Sequence, residues 1–171
     1  MKMPSPVHLQ KWVETYKDEL RPPIGNKVVW TDTEFVVMLV GGPNSRKDFH
    51  VDPGPEFFYQ IKGDIELRVV ESGKVKSIFI NEGEMFCLPS GAPHQPIRPA
   101  NSLGLVIERR RKPNEKEFFM WYCESCGKKM AEFKVLVKRI DKDLPAILEK
   151  FYKDEKKRTC KHCGHFMIPP A

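Results

Sequence analysis

Three side chains of this sequence have the types and spacing to hold a reactive metal ion: His50, Glu56 and His94. In an extended strand alternate side chains share a face, so Arg46, Asp48, His50 and Asp52 are expected on one side and Lys47, Phe49 and Val51 on the other. Glu56 follows across the turn Asp52-Pro53-Gly54-Pro55 and enters the apolar run Phe57-Phe58-Tyr59-Gln60-Ile61. A lone carboxylate is costly to bury there, and a metal would pair it. His94 is delivered by a turn stiffened by Pro89 and Pro93, and a regular strand beyond it sends Pro96 and Arg98 to the same side. A single histidine is more often structural than metal-bound. Two histidines with one carboxylate form the set that suits non-haem ferrous iron and leaves coordination positions open.

A second constellation has the opposite character. Cys123-Glu124-Ser125-Cys126-Gly127 and Cys160-Lys161-His162-Cys163-Gly164 are two CxxC knuckles, each followed by glycine. Such spacing lets two thiolates grip one ion, and two knuckles close a tetrahedral sulfur site with no position left for substrate. Cys123, Cys126, Cys160 and Cys163 are therefore expected to be structural, and iron or zinc is chemically acceptable. His162, His165 and His8 are read as bystanders, and Cys87, between Phe86 and Leu88, as a buried core thiol.

These groups need a scaffold. Leu9, Trp12, Val13, Tyr16 and Leu20 recur at helical period, with Ser5 as candidate N-cap and Pro6 in the first turn, and predict an N-terminal helix packed on the body. From Lys27 to about Glu108 short Val-, Ile-, Phe- and Leu-rich runs alternate with Gly, Pro, Asn and Asp turns, the pattern of an antiparallel β-sandwich or barrel. The charged, Pro-containing stretch 109–117 reads as a linker, its four consecutive basic residues Arg109 to Lys112 as solvated. Phe133, Val135 and Val137 then alternate like a strand, and Leu144, Ile147, Leu148, Phe151 and Tyr152 form a helical packing stripe behind Asp143 as N-cap.

Composition bounds the alternatives. The chain has 171 residues, 40% hydrophobic and 30% charged, which suits a soluble globular protein of one domain or a domain with an appendage. No apolar run approaches the roughly 20 residues of a membrane helix, and the start Met1-Lys2-Met3-Pro4-Ser5-Pro6 leads into no apolar signal region. A cytoplasmic location is expected, where thiols remain available for metals and do not pair into disulfides. The net charge of +6 comes from 29 basic residues interleaved with 23 acidic ones, which suggests a basic surface or an anionic substrate and not a nucleic-acid interface.

Residues 42–63 resemble the first cupin motif, with Glu56 and Gly63 at its spacing; Gly83, Pro89, Gly91 and His94 resemble the second. Asp52 stands where the general pattern has a further histidine, Arg98 where it has asparagine, and the step from Gly42 to His50 is longer. Those departures match one branch. Arg46-Lys47-Asp48-Phe49-His50, Glu56-Phe57-Phe58-Tyr59-Gln60, His94-Gln95-Pro96-Ile97-Arg98-Pro99 and Val106-Ile107-Glu108-Arg109 resemble the 3-hydroxyanthranilate 3,4-dioxygenase family, over nearly the whole chain including the cysteine tail.

The resemblance implies a mainly β cupin (jelly-roll) barrel with an N-terminal helix over residues 1–108, a linker at 109–122 and a rubredoxin-like four-cysteine extension with a helix over 123–171. It implies Fe(II) on His50, Glu56 and His94, a second iron (or zinc) in the tail, and a homodimer. Arg46, Arg98 and Glu108 would serve 3-hydroxyanthranilate and O2, with Asn26, Phe58 and Pro96 lining the pocket. Arg98 offers a planar fork to a carboxylate, Glu108 a proton acceptor or orienting partner, and Arg46 a stabiliser of developing negative charge. Competing readings are a non-catalytic cupin sensing a small acid, another cupin dioxygenase, and a zinc-ribbon nucleic-acid binder.

Overall fold

A computed structural model describes residues 3–21, 25–31, 33–44 and 46–170. In chain order the elements are α1 (Leu9–Tyr16), β1 (Asn26–Val28), β2 (Phe35–Gly41), β3 (Asp48–Val51), β4 (Glu56–Lys62), β5 (Ile65–Glu71), β6 (Lys74–Ile80), β7 (Met85–Leu88), β8 (His94–Ile97), β9 (Leu103–Arg109), β10 (Glu117–Tyr122), β11 (Lys129–Val135), α2 (Ile140–Tyr152) and α3 (Glu155–Arg158). The strands form two antiparallel sheets, one ordered β1-β2-β9-β4-β7 and the other β11-β10-β3-β8-β5-β6.

Period-two alternation decides what lies between the sheets. On β5, Ile65, Leu67 and Val69 point inward; from the opposite sheet Met38, Phe58, Leu88 and Val106 meet them in one buried cluster. Each such side chain contributes roughly 1.5–3 kcal/mol when fully buried. The architecture is the antiparallel β-sandwich that the turn pattern predicts, and the mainly β cupin fold that the family resemblance implies.

A second core lies outside the sandwich. Phe119 and Trp121 of β10 pack with Val137, Leu144, Ile147, Phe151 and Met167, and the Trp121 and Phe151 rings stack 4.1 Å apart at 13°. The helical stripe of α2 is thus packing, as its period predicts. Asp143 sits one turn inside α2, whose N-cap is Arg139, and its carboxylate still accepts from the Lys138 and Arg139 backbone N–H groups at 2.7 and 2.8 Å.

Three expectations change. The N-terminal helix starts at Leu9 with His8 as N-cap, beyond Ser5 and Pro6, and none of its residues is fully buried; Lys27 ties its end to the sheet by a 2.5 Å pair with Glu19 and by lying over the Tyr16 ring. Cys87 is exposed, because β7 is an edge strand and Cys87 falls on its outward phase opposite Phe57. Residues 117–122, expected within the linker, form β10, an interior strand paired to β3 on one side and to β11 on the other. Glu117, Phe119 and Trp121 are its inward residues, each 0% exposed.

Candidate active site and metal centres

Strand pairing stacks the pocket in rungs. Across β4 and β9, Glu56 lies opposite Glu108, Phe58 opposite Val106, and Gln60 opposite Gly104; β2 extends the last two rungs with Met38 and Val40. Rungs two residues apart along a strand are roughly 7 Å apart, so one end is carboxylate, the middle apolar and the far end amide. The other sheet faces them with His50 of β3 paired to His94 of β8, followed by Pro96 and Arg98. All nine predicted pocket residues, Asn26, Arg46, His50, Glu56, Phe58, His94, Pro96, Arg98 and Glu108, line one cavity of about 80 Å³.

At the carboxylate end the Glu56 Oε1 atom lies 3.2 Å from His94 Nε2 and 4.0 Å from His50 Nδ1. One donor atom from each of the three residues lies within 4.8 Å of the others. The outer nitrogens are committed elsewhere: His94 Nδ1 is 3.1 Å from the Ala92 carbonyl and His50 Nε2 is 2.5 Å from Glu117 Oε2. Those contacts orient both rings so that the remaining nitrogens face Glu56, the usual service of groups behind a metal ligand. Glu56 Oε1 is buried and accepts no hydrogen bond, an expensive state for a carboxylate oxygen that a cation would relieve. The donor set therefore fits a divalent metal.

Electrostatics agree with that division. Burial pushes the Glu56 carboxyl up, but the His94 and His50 imidazoles and Arg111 outweigh it and hold it below its ordinary value. Burial likewise opposes the His94 imidazolium, and Glu56 overrides it upward. Glu108 gets too little relief from Arg111, 2.8 Å away, to offset its surroundings. Burial, with the Glu56 charge opposite, pushes its carboxyl up to about 8, where a group can give and take protons near neutrality.

At the far end, Arg98 is 2% exposed. Its Nη1 donates to Gln60 Oε1 at 3.3 Å, and its Nε has no acceptor. Burial pushes the guanidinium down to about 10. The side chain lies across Gly104, where an added Cβ would stand 2.7 Å from Arg98 Nη1 and 2.8 Å from Gln60 Oε1. Arg46 is held differently: it donates through Nε and Nη2 to Asp48, at 3.0 Å for the first, which leaves Nη1 for the cavity.

Two residues in contact with the site were missed by the sequence. Arg111, expected in a solvated basic run, has only 12% of its side chain exposed and contacts Glu117, Glu108 and Asp52 at 2.5, 2.8 and 2.9 Å. Glu117, which receives His50, was hidden in the linker reading; the alternation of Glu117, Phe119 and Trp121 was the signal that could have found it. His50, Asp52 and Glu117 form a further group of potential ligands, but Arg111 already occupies both of its carboxylates.

The tail brings Cys123, Cys126, Cys160 and Cys163 into one cluster. Sγ atoms approach to 3.5 Å between Cys123 and Cys163 and 3.7 Å between Cys126 and Cys160, with no disulfide. The knuckles are built alike: Gly127 and Gly164, at φ +70° and +76°, donate their N–H groups to the Cys123 and Cys160 carbonyls at 2.9 Å. Backbone N–H groups of Cys163 and His162 stabilise the Cys160 thiolate, pulling its thiol down to about 6. Neither His162 nor His165 belongs to the cluster.

The sequence matches the model of the 3-hydroxyanthranilic acid dioxygenase family over residues 1–152. A protein of Bacillus thuringiensis (strain Al Hakam) named 3-hydroxyanthranilate 3,4-dioxygenase is 45% identical over 161 residues, 94% of this chain and 90% of that one. One of the same name from Shewanella woodyi is 47% identical over 158 residues, 92% of this chain and 84% of that one. Among solved structures, a cupin-2 domain containing protein from Shewanella frigidimarina aligns at 18% identity and TM-score 0.45, covering 60% of this chain and 100% of that one.

Proposed function

The chain belongs to the 3-hydroxyanthranilic acid dioxygenase family, and from that premise we propose that it opens the ring of 3-hydroxyanthranilate with O2 to give 2-amino-3-carboxymuconate semialdehyde, on the kynurenine route toward quinolinate and NAD. The observation that carries this reading is the polarity of one cavity: a buried His50, Glu56 and His94 set at one end, a buried Arg98 with unused donors at the other, and an apolar band between. An aromatic acid that offers an amine and a phenol to a metal, a ring face to the apolar band and a carboxylate to Arg98 matches those environments.

His50, Glu56 and His94 would hold Fe(II). Bound there, it would supply open positions for amine, phenolate and dioxygen and the electron sharing that lets triplet oxygen react. Arg98 binds the carboxylate through paired N–H donors, a directional contact that selects acids over simple aminophenols. Phe58, Val106 and Pro96 sandwich the ring and keep water out of the middle rungs. Glu108 takes the phenol proton on its carboxylate, near enough to its own midpoint to return it later. Arg46 aims Nη1 at charge developing on the oxygen side, while Asp48 fixes the other edge of its guanidinium. Asn26 lines the mouth.

The four cysteines would hold a second iron, or zinc, in a closed structural site. A four-thiolate metal site suits a reducing, cytoplasmic setting, and the family resemblance supports a homodimer. The test is anaerobic reconstitution with ferrous iron, followed by O2 and 3-hydroxyanthranilate, with oxygen uptake and ring-opened product measured together. Stoichiometric uptake is expected. A full iron complement with substrate bound and no turnover would instead mark a cupin that senses a small acid.

A further inference from the structure

We propose that Arg111 is a positioning residue for the reaction, a single guanidinium that locks the metal-side histidine and the substrate-side carboxylate into one rigid unit. The inference rests on the functional reading above and adds a residue to it. Arg111 Nε donates to Glu117 Oε1 at 2.5 Å and Nη2 to Glu117 Oε2 at 3.3 Å, and that same Oε2 is 2.5 Å from His50 Nε2. The remaining nitrogen, Nη1, lies 2.8 Å from Glu108 Oε2, and Nη2 also lies 2.9 Å from Asp52 Oδ2. These last two are ion contacts outside good hydrogen-bond alignment, since both oxygens lack a bonded partner. They restrain by charge more than by direction.

The arrangement is not one that stability alone would select. Three buried carboxylates around one guanidinium leave excess negative charge, and buried ion clusters are commonly less stable than apolar packing of the same volume. What the cluster provides is connection. Glu117 comes from β10, His50 and Asp52 from β3 and its following turn, and Glu108 from β9 in the other sheet. Arg111 is the side chain that touches all three carboxylates. Only a planar fork with five donors can do so; a lysine ammonium is a point charge that serves one or two.

The experiment compares Arg111→Lys, Arg111→Gln and Glu117→Gln with the unaltered chain. For each, iron per chain, the unfolding temperature of the iron-free form, the rate of iron loss to a ferrous chelator, and kcat and KM of the iron-loaded fraction are measured. Groups behind metal ligands change affinity or activity by about 10- to 100-fold when removed. Arg111→Lys is expected to leave the unfolding temperature unchanged and KM within about threefold while kcat falls by about tenfold or more. Arg111→Gln and Glu117→Gln should lose catalytic iron to the chelator at least about tenfold faster. Iron-loaded Arg111→Lys with unaltered kcat and chelation rate overturns the proposal, as does a variant series in which only the unfolding temperature moves. Should Arg111→Gln fail to fold, the lysine and Glu117→Gln arms decide. If the unaltered chain does not turn over 3-hydroxyanthranilate, the functional reading fails, and the chelation rates still judge Arg111.

Discussion

Replacing Arg98 by methionine should make the metal-free protein more stable while removing its grip on substrate. Burial pushes the Arg98 guanidinium down to about 10, about 2.5 below its ordinary value, which at about 1.4 kcal/mol per pH unit is a cost of about 3 kcal/mol. The sign follows from the cation being disfavoured in the folded state: the cost is fully present at neutral pH and lifts only as pH rises past about 10. Methionine is unbranched and apolar and can follow the same channel over Gly104. It would leave Gln60 Oε1 without its 3.3 Å donor, at about 1 kcal/mol. The net gain is about 2 kcal/mol, or about 4–8 °C in Tm for a chain of this length. Thermal unfolding of the iron-free chain at pH 7 measures it. In the iron-loaded enzyme, loss of charge-assisted bonds worth about 1.5–3 kcal/mol each should raise KM by about tenfold or more. An Arg98→Met chain that unfolds at or below the temperature of the original would refute the argument that Arg98 is held against its own solvation for the sake of a ligand.

Three further outcomes are expected. Gly104→Ala puts a methyl 2.7 Å from Arg98 Nη1 and 2.8 Å from Gln60 Oε1, so it should raise KM by about tenfold through one misaligned charged bond while metal content stays unchanged; steady-state kinetics with metal analysis checks both. His50→Ala should empty the catalytic site and leave the cysteine site loaded, read as the loss of one metal ion per chain by elemental analysis. Glu108, raised to about 8 chiefly by burial and then by Glu56, binds its proton more tightly folded than unfolded, so its contribution to stability is lost as pH climbs from the ordinary carboxylate range through about 8. The iron-free Glu108→Gln variant should accordingly show a smaller drop in Tm between about pH 5 and 8.

The residues that advertised themselves in the sequence are those whose meaning is local. His50 and Glu56 are separated by one turn, the CxxC knuckles are each four residues long, and Arg98 follows His94 at strand period, so type and spacing place them without a fold. The inward phase of β4 and β9 was legible for the same reason. Arg111 was not, because its partners Asp52, Glu108 and Glu117 reach it only through pairing of β3 with β10 and closure of the two sheets. In one dimension it is the third member of a basic run. Strand β10 was masked by Pro113 and the flanking charges, and the exposure of Cys87 depends on β7 being an edge, which is a property of the whole sheet order. N-cap preference also misplaced the start of α1, where the chain turns into helix at His8 without any capping side chain.

Strand β10 sets a limit on how this protein can be taken apart. Along it run Glu117 against His50, Phe119 stacked on the same ring at 4.8 Å, Trp121 in the tail's own core, and immediately afterward Cys123. Cutting the chain ahead of β10 would turn β3, which carries His50, into a bare sheet margin with open hydrogen-bonding groups, the kind of margin on which chains stick to one another. Cutting behind it would strip Trp121 of its cover. A gene fragment encoding only the dioxygenase half should thus yield inclusion bodies before it yields a minimal enzyme, and any lineage that dispensed with the cysteines would have had to keep the strand that leads to them.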